Sequence, residues 1–250
     1  LADPKVREKY IDRVQAHAVA DEIVQGKYWE NGKGCAVGCT VQTGDSPHEA
    51  METELGIPRE LAWLEDTIFE GLSNGEAKAF PLRFLKAINT GADLSLITAK
   101  FMVWQFDDDK YGMKNIPEVK ADTEMMGFCE EVVALYKRVI AGDPPTEAEF
   151  EDLYVRIDRA SAGARASASA WAWASAGARA SAGAWASAGA WASARARASA
   201  WAWASAGARA GAWASAGAWA SARARAWAYD EKPYWSAMAD KLIELLEETK

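Results

Sequence analysis

The sequence is poor in the residues that most chemistry requires. Three cysteines in 250 residues exclude a disulfide-stapled scaffold and suit a reducing compartment, so a cytoplasmic protein is expected. Two histidines leave little from which to assemble a Ser/His/Asp relay. Apolar runs of eighteen residues are absent, so neither a membrane span nor a charged-then-apolar leader of the secretory kind is expected. The most pronounced lack is local: residues 160–229 contain no acidic residue.

That gap divides the chain by charge. Residues 1–159 carry 30 acids against 18 Lys and Arg, residues 160–229 carry seven arginines alone, and residues 230–250 carry six acids against three lysines. The balances of −12, +7 and −3 sum to the net charge of −8. A generally basic nucleic-acid binder is excluded, and the steps mark boundaries at 159/160 and 229/230.

Residues 1–159 read as an all-α domain. Pro4 suits a first helical turn, and Val6, Tyr10, Val14, Ala18 and Ile23 predict a helix reaching about Gln25, closed by Gly26. Pro58 opens a second helix carrying Leu61, Leu64, Ile68 and Leu72, broken by Asn74-Gly75. Two more are predicted over Phe80–Ile88 and Asp93–Phe106, and a long one over Met125–Ile140 ending at Gly142. Thr146 and Glu149 then have the spacing of a capping box.

From Ala160 to Ala228 every even-numbered residue is alanine, while the odd positions hold Ser, Gly, Arg and Trp and end in Tyr229. Hexapeptides of the form A-S-A-G-A-R or A-S-A-G-A-W dominate, and the length variants, ASASAWAW (166–173) and AGAW (210–213), are even too. A two-residue period is that of a strand, and an odd slip would exchange its faces. The expected fold class is therefore α+β: a helical domain (1–159), an Ala-cored β-solenoid of hexapeptide-like repeats (160–229) and a C-terminal capping helix (230–250). Helical and silk-like readings compete, because alanine is the best helix former and Ala-Gly-Ser tracts need not fold alone. Seven glycines and the missing 3.6-residue period weigh against the helix. Trp235, Met238, Leu242 and Leu245 share one face of the terminal helix, expected to cover the last open edge of the solenoid.

The stretches WENGKGCAVGC (29–39), ETELGIP (52–58) and LEDTIFEGL (64–72) resemble a group of uncharacterised bacterial and phage proteins. Those proteins likewise carry an Ala-rich tail of Ser, Trp and Arg repeats, ending in a segment like ADKLIELL (239–246). The resemblance implies no activity, cofactor or catalytic residue. In that group the repeats are similar to SAAx units at helical spacing, and the alternation at 160–229 departs from them.

Among candidate sites, Cys35, Cys39 and His48 offer zinc-ligand chemistry, but the four-residue spacing is not that of a C-x₂-C knuckle and no second cysteine pair exists. GCAVGC reads better as a small-residue helix packed closely on a neighbour, and no metal or cofactor is expected. Asn31-Gly32-Lys33-Gly34 lacks the order of a phosphate loop and reads as a helix-entry turn. Asp107, Asp108 and Asp109 read as a solvated loop or cap rather than a cation site. His17 reads as a packed or surface residue, Cys129 as core.

The strongest binding feature is the alternation of arginine and tryptophan at Arg179, Trp185, Trp191, Arg195, Arg197, Trp201, Trp203, Arg209, Trp219, Arg223 and Arg225. Cations interleaved with stacking aromatics suit single-stranded nucleic acid, or they can stack on one another and cover a surface. The expected function is non-enzymatic: a structural, assembly or binding protein that associates with itself or docks its basic segment on its acidic one. Nucleic-acid binding through the Arg/Trp positions is the alternative, and no small-molecule substrate or membrane partner is indicated.

Overall fold

The computed structural model describes residues 1–163 and 231–249. In chain order these form α1 (Pro4–Val19), β1 (Trp29–Glu30), β2 (Lys33–Gly34), α2 (Ala36–Val41), α3 (Pro47–Leu55), α4 (Arg59–Gly71), α5 (Asn74–Ala87) and α6 (Ile97–Asp107). A 3-10 turn (Met113–Asn115), α7 (Pro117–Ala121), α8 (Thr123–Ile140), α9 (Glu147–Gly163) and α10 (Glu231–Glu247) follow. The chain divides into two compact units, Leu1–Ile97 with Asp230–Lys250, and Thr98–Tyr229.

In the first unit, Asp3 caps α1 by accepting from the Lys5 N–H at 2.8 Å. The helix stops at Val19, short of the expected Gln25, because Ile23 and Val24 are drawn to Gly34. Ile23 bridges Gly34, and the Val24 N–H donates to the Gly34 carbonyl at 2.8 Å. Asn31 and Gly32 are not a helix entry but the turn of an antiparallel hairpin, with φ of 52° and 80°. Both angles are positive, as a type I′ turn requires, and Asn-Gly is its preferred pair.

The GCAVGC stretch is helical only from Ala36, with Gly34 closing β2 and Cys35 as the N-cap, and it packs closely. A Cβ on either Gly34 or Gly38 would run into the backbone carbonyl of Tyr28, so the glycines let α2 lie directly on that backbone. Helix α4 sits centrally, packed against α2, α3, α5 and α10. Its C-terminal carbonyls at Phe69, Glu70 and Leu72 accept from the Gln25 side chain. The core between these helices includes Val14, Met51, Leu61, Ile68, Phe69, Phe80 and Phe84, all essentially inaccessible to solvent.

The terminal helix joins this unit. Trp235, Met238, Leu242 and Leu245 are buried, and α10 packs on α4 and α5. Arg83 pairs with Asp240 at 2.7 Å, and Asn89 donates to the Thr249 carbonyl at 2.6 Å. The apolar face assigned to a solenoid edge is thus spent on the helical head.

The second unit is built on α8. Asp122 caps it by accepting from the N–H groups of Glu124 and Met125. Its apolar face (Met125, Cys129, Val132, Tyr136) packs in a core with Met102, Phe106, Phe150, Leu153 and Ile157. The capping box at α9 forms as its spacing predicts: the Thr146 N–H donates to Glu149 Oε2 at 2.6 Å, and the Glu149 N–H to Thr146 Oγ1 at 3.3 Å.

The α+β expectation is corrected. Among the described residues the fold is helical, and one two-stranded sheet is the only sheet. No β-solenoid is present among them, and α9 continues as helix through Ala160-Ser161-Ala162-Gly163, the first residues assigned to extended repeat. Helix elongation is cheap once nucleated, and alanine favours it. The remainder of the stretch assigned to the solenoid lies outside the described residues. Among the described residues no helix is long and apolar enough to cross a membrane.

Candidate functional site

The residues best equipped for chemistry meet inside the first unit, around Asp66. Helix α4 presents Glu65 and Asp66 in succession, α3 presents His48, Cys35 is the N-cap residue of α2, and Tyr28 precedes the hairpin. His48 Nε2 lies 3.4 Å from Asp66 Oδ2. The approach is close but not aligned as a hydrogen bond, and Nε2 has no hydrogen-bond partner. The imidazole stacks on Trp63 with centroids 3.5 Å apart and planes 7° from parallel, and Tyr28 meets it edge-on at 5.5 Å.

Burial dominates the electrostatics. Cys35, His48, Glu65 and Asp66 are 1%, 4%, 0% and 7% exposed. Neither carboxyl oxygen of Glu65 has a hydrogen-bond partner, and Asp66 Oδ1 also lacks one. Burial first, and the charge of Asp66 second, push the Glu65 carboxyl well above the usual range, which keeps it protonated. The same causes act on Cys35: burial raises its thiol, Asp66 and Glu65 add to the effect, and the Gly38 backbone opposes it. Tyr28 is pushed up to about 12 by burial and by Asp66 and Cys35. A helix N-terminus ordinarily favours a thiolate, but here Cys35 is held as a thiol, a poor nucleophile.

The structure sends the two cysteines weighed as a metal alternative to different partners. Cys35 shares Asp66 with His48, whereas Cys39 Sγ turns away to donate to the Gly34 carbonyl at 3.3 Å. Burial takes the Cys39 thiol up to about 12. Among the described residues no group of three or more His, Cys, Asp and Glu is arranged to hold a metal ion.

His17 is a packing residue, with Nδ1 2.6 Å from Glu22, Nε2 3.0 Å from Gln42 and the ring edge-on to Trp29 at 5.2 Å. Asp108 caps the turn that follows it by accepting from the Lys110 and Tyr111 N–H groups. Asp107 pairs with Lys114 at 3.0 Å and Lys137 at 3.3 Å, and Asp109 with Lys114 at 3.0 Å. Asp107, Lys114 and Lys137 edge a cleft of about 470 Å³ floored by Phe106, Met126, Cys129 and Val133.

Sequence reasoning missed Glu65 and Asp66, which lie in an amphipathic run where acids are expected to face solvent. The one available signal was their place in LEDTIFEGL. Arg179, Trp185, Trp191, Arg195, Arg197, Trp201, Trp203, Arg209, Trp219, Arg223 and Arg225 lie outside the described residues. Compared with protein-family models, curated proteins and solved structures, the chain matches none.

Proposed function

We propose that this chain is a binding or assembly protein rather than an enzyme. The observation that carries the reading is the burial of the four most reactive members of its best-equipped cluster: Cys35, His48, Glu65 and Asp66 are at most 7% exposed, with Tyr28 alone reaching solvent at 42%. Substrate must touch the groups that transform it, and a protonated thiol beside two acids is not an activated nucleophile. Charge partition supplies the mode of association. The acidic stretch 1–159 and the acid-free, arginine-bearing stretch 160–229 attract each other, within one chain or between copies.

A second reading, nucleic-acid binding, is favoured by the interleaving of seven arginines with nine tryptophans in 160–229, a pattern suited to phosphates and stacked bases. On the first reading the acidic stretch competes with phosphate for the same arginines. Sedimentation velocity of the intact protein at low and high salt, run beside mobility shifts with single-stranded DNA and RNA, tests the order. Salt-sensitive self-association or compaction with weak nucleic-acid binding at physiological salt supports assembly. Tight nucleic-acid binding by the intact chain at physiological salt, weakening only as salt rises further as phosphate contacts do, puts the second reading first.

A further inference from the structure

We infer that the layer formed by α2, α3 and α4 is a proton-dependent latch: the first unit closes fully only while Glu65 carries a proton, and ionisation of Glu65 loosens α4 together with the helices that rest on it. The argument begins with placement. Glu65 is wholly buried and neither of its oxygens has a hydrogen-bond partner. An ionised carboxylate there would have lost its water without gaining a donor. The adjacent Asp66 is also buried, with one oxygen equally without a partner.

Among the described residues, no Lys or Arg is paired with Glu65. Cys35, the N-cap of helix α2, contributes a thiol held protonated by burial, and the segment before the hairpin contributes Tyr28, which is 42% exposed and is itself raised rather than charged. Helix α3 contributes His48, which addresses Asp66, and its Glu49 and Glu52 are taken by Arg59 of α4. Further along α4, Glu70 turns outward to accept from the Gly26 N–H. On α5 and α10 the charges pair away from the cluster: Lys78 with Asp21, Arg83 with Asp240, Lys241 with Glu244, while Ser236 hydrogen-bonds Glu76. Among the described residues the one charge that bears on Glu65 is that of Asp66, which repels.

The sign follows from linkage. An acid raised on folding holds its proton more tightly in the folded state than in the unfolded chain. Its contribution is complete below the unfolded value near 4.5 and is lost as pH rises toward the higher folded value. Over that window the folding equilibrium constant falls about tenfold per pH unit. Because α4 supports α2, α3, α5 and α10, the loss reaches the terminal helix as well.

The test is urea unfolding of the full chain from mildly acidic to mildly alkaline pH, for the natural protein and Glu65→Gln, whose amide imitates the protonated acid. The expected result is a midpoint that falls with rising pH in the natural protein and stays flatter in E65Q. Parallel profiles overturn the proposal. Should E65Q fail to fold, infrared spectroscopy of the natural protein at neutral pH decides. A carbonyl band from a buried un-ionised carboxyl, lost together with amide protection in α10 as pH rises, supports the latch, and absence of that band overturns it.

Discussion

Gly71 and Trp235 are fitted to each other: the space that a Cβ on Gly71 would require is filled by Cδ2, Cε2 and Cε3 of the Trp235 indole. The glycine ends α4 and the tryptophan lies near the start of α10, so the fit sets how closely the terminal helix approaches the head. Gly71→Ala is expected to cost about 1–3 kcal/mol or more, as overpacking does. Trp235→Leu in the same chain should recover part of that loss. At Gly75, where nothing lies within 4 Å, alanine should instead gain up to about 1 kcal/mol from helix propensity. Denaturant midpoints of the four proteins check this.

A second glycine meets backbone rather than a side chain. Gly38→Ala would drive a methyl into the Tyr28 carbonyl, and a main-chain oxygen cannot rotate aside as a side chain can. The expected loss is at least as large as for Gly71→Ala, and replacing Tyr28 with a smaller residue should not relieve it. Thermal melting of the single and double variants distinguishes a backbone clash from a side-chain one.

Glu149 supplies an acid-limb prediction. The Thr146 N–H first, then Arg138 and the Thr146 hydroxyl, hold its carboxyl down to about 2. Depression on folding gives a contribution present above the unfolded value of 4.5 and lost as pH falls toward about 2. Glu149→Gln should remove that part of the acid unfolding profile and lower stability evenly above about 4.5, without changing the slope of the neutral and alkaline limbs. Circular dichroism during acid titration gives the readout. An unchanged acid limb would mean that the box and its arginine contribute nothing to linkage.

The three thiols should resist modification while the chain is folded. Cys35, Cys39 and Cys129 are all buried and none is in a disulfide, and the first two are raised by burial. Alkylation near neutral pH is expected to be slow in the native protein and fast in denaturant, in proportion to the population of opened chain. Rapid native labelling of Cys35 would show that the cluster around Asp66 is open to solvent, and would weaken the non-enzymatic reading.

What could be read from sequence was local. Thr146 and Glu149 form their box because both partners lie within one turn, and the face of α8 follows from its own spacing. What could not be read depended on distant partners. Ile23 and Val24 continue the apolar pattern of α1, yet Gly34 claims them. The dipeptide Asn-Gly occurs at 31–32 and at 74–75: in the first it makes the hairpin turn, and in the second it begins α5 behind Ser73. Glu65 and Asp66 stand between apolar residues as solvent-facing acids do, and only the crowding of α4 on every side buries them. The alternation at 160–229 spoke for a strand, but α9 had already begun as helix and carries on into it.

The division of the first unit into Leu1–Ile97 and Asp230–Lys250 has a consequence for synthesis. When Ile97 leaves the ribosome, the surfaces of α4 and α5 that receive α10 have no partner, because that partner is not yet made. At roughly 5–20 residues per second, translating residues 98–229 takes on the order of ten seconds. Through that interval the nascent head exposes the seat of Trp235, Met238 and Leu242 to any apolar surface nearby. A chaperone, or another nascent chain on the same message, has that long to occupy it before the chain supplies its own last helix.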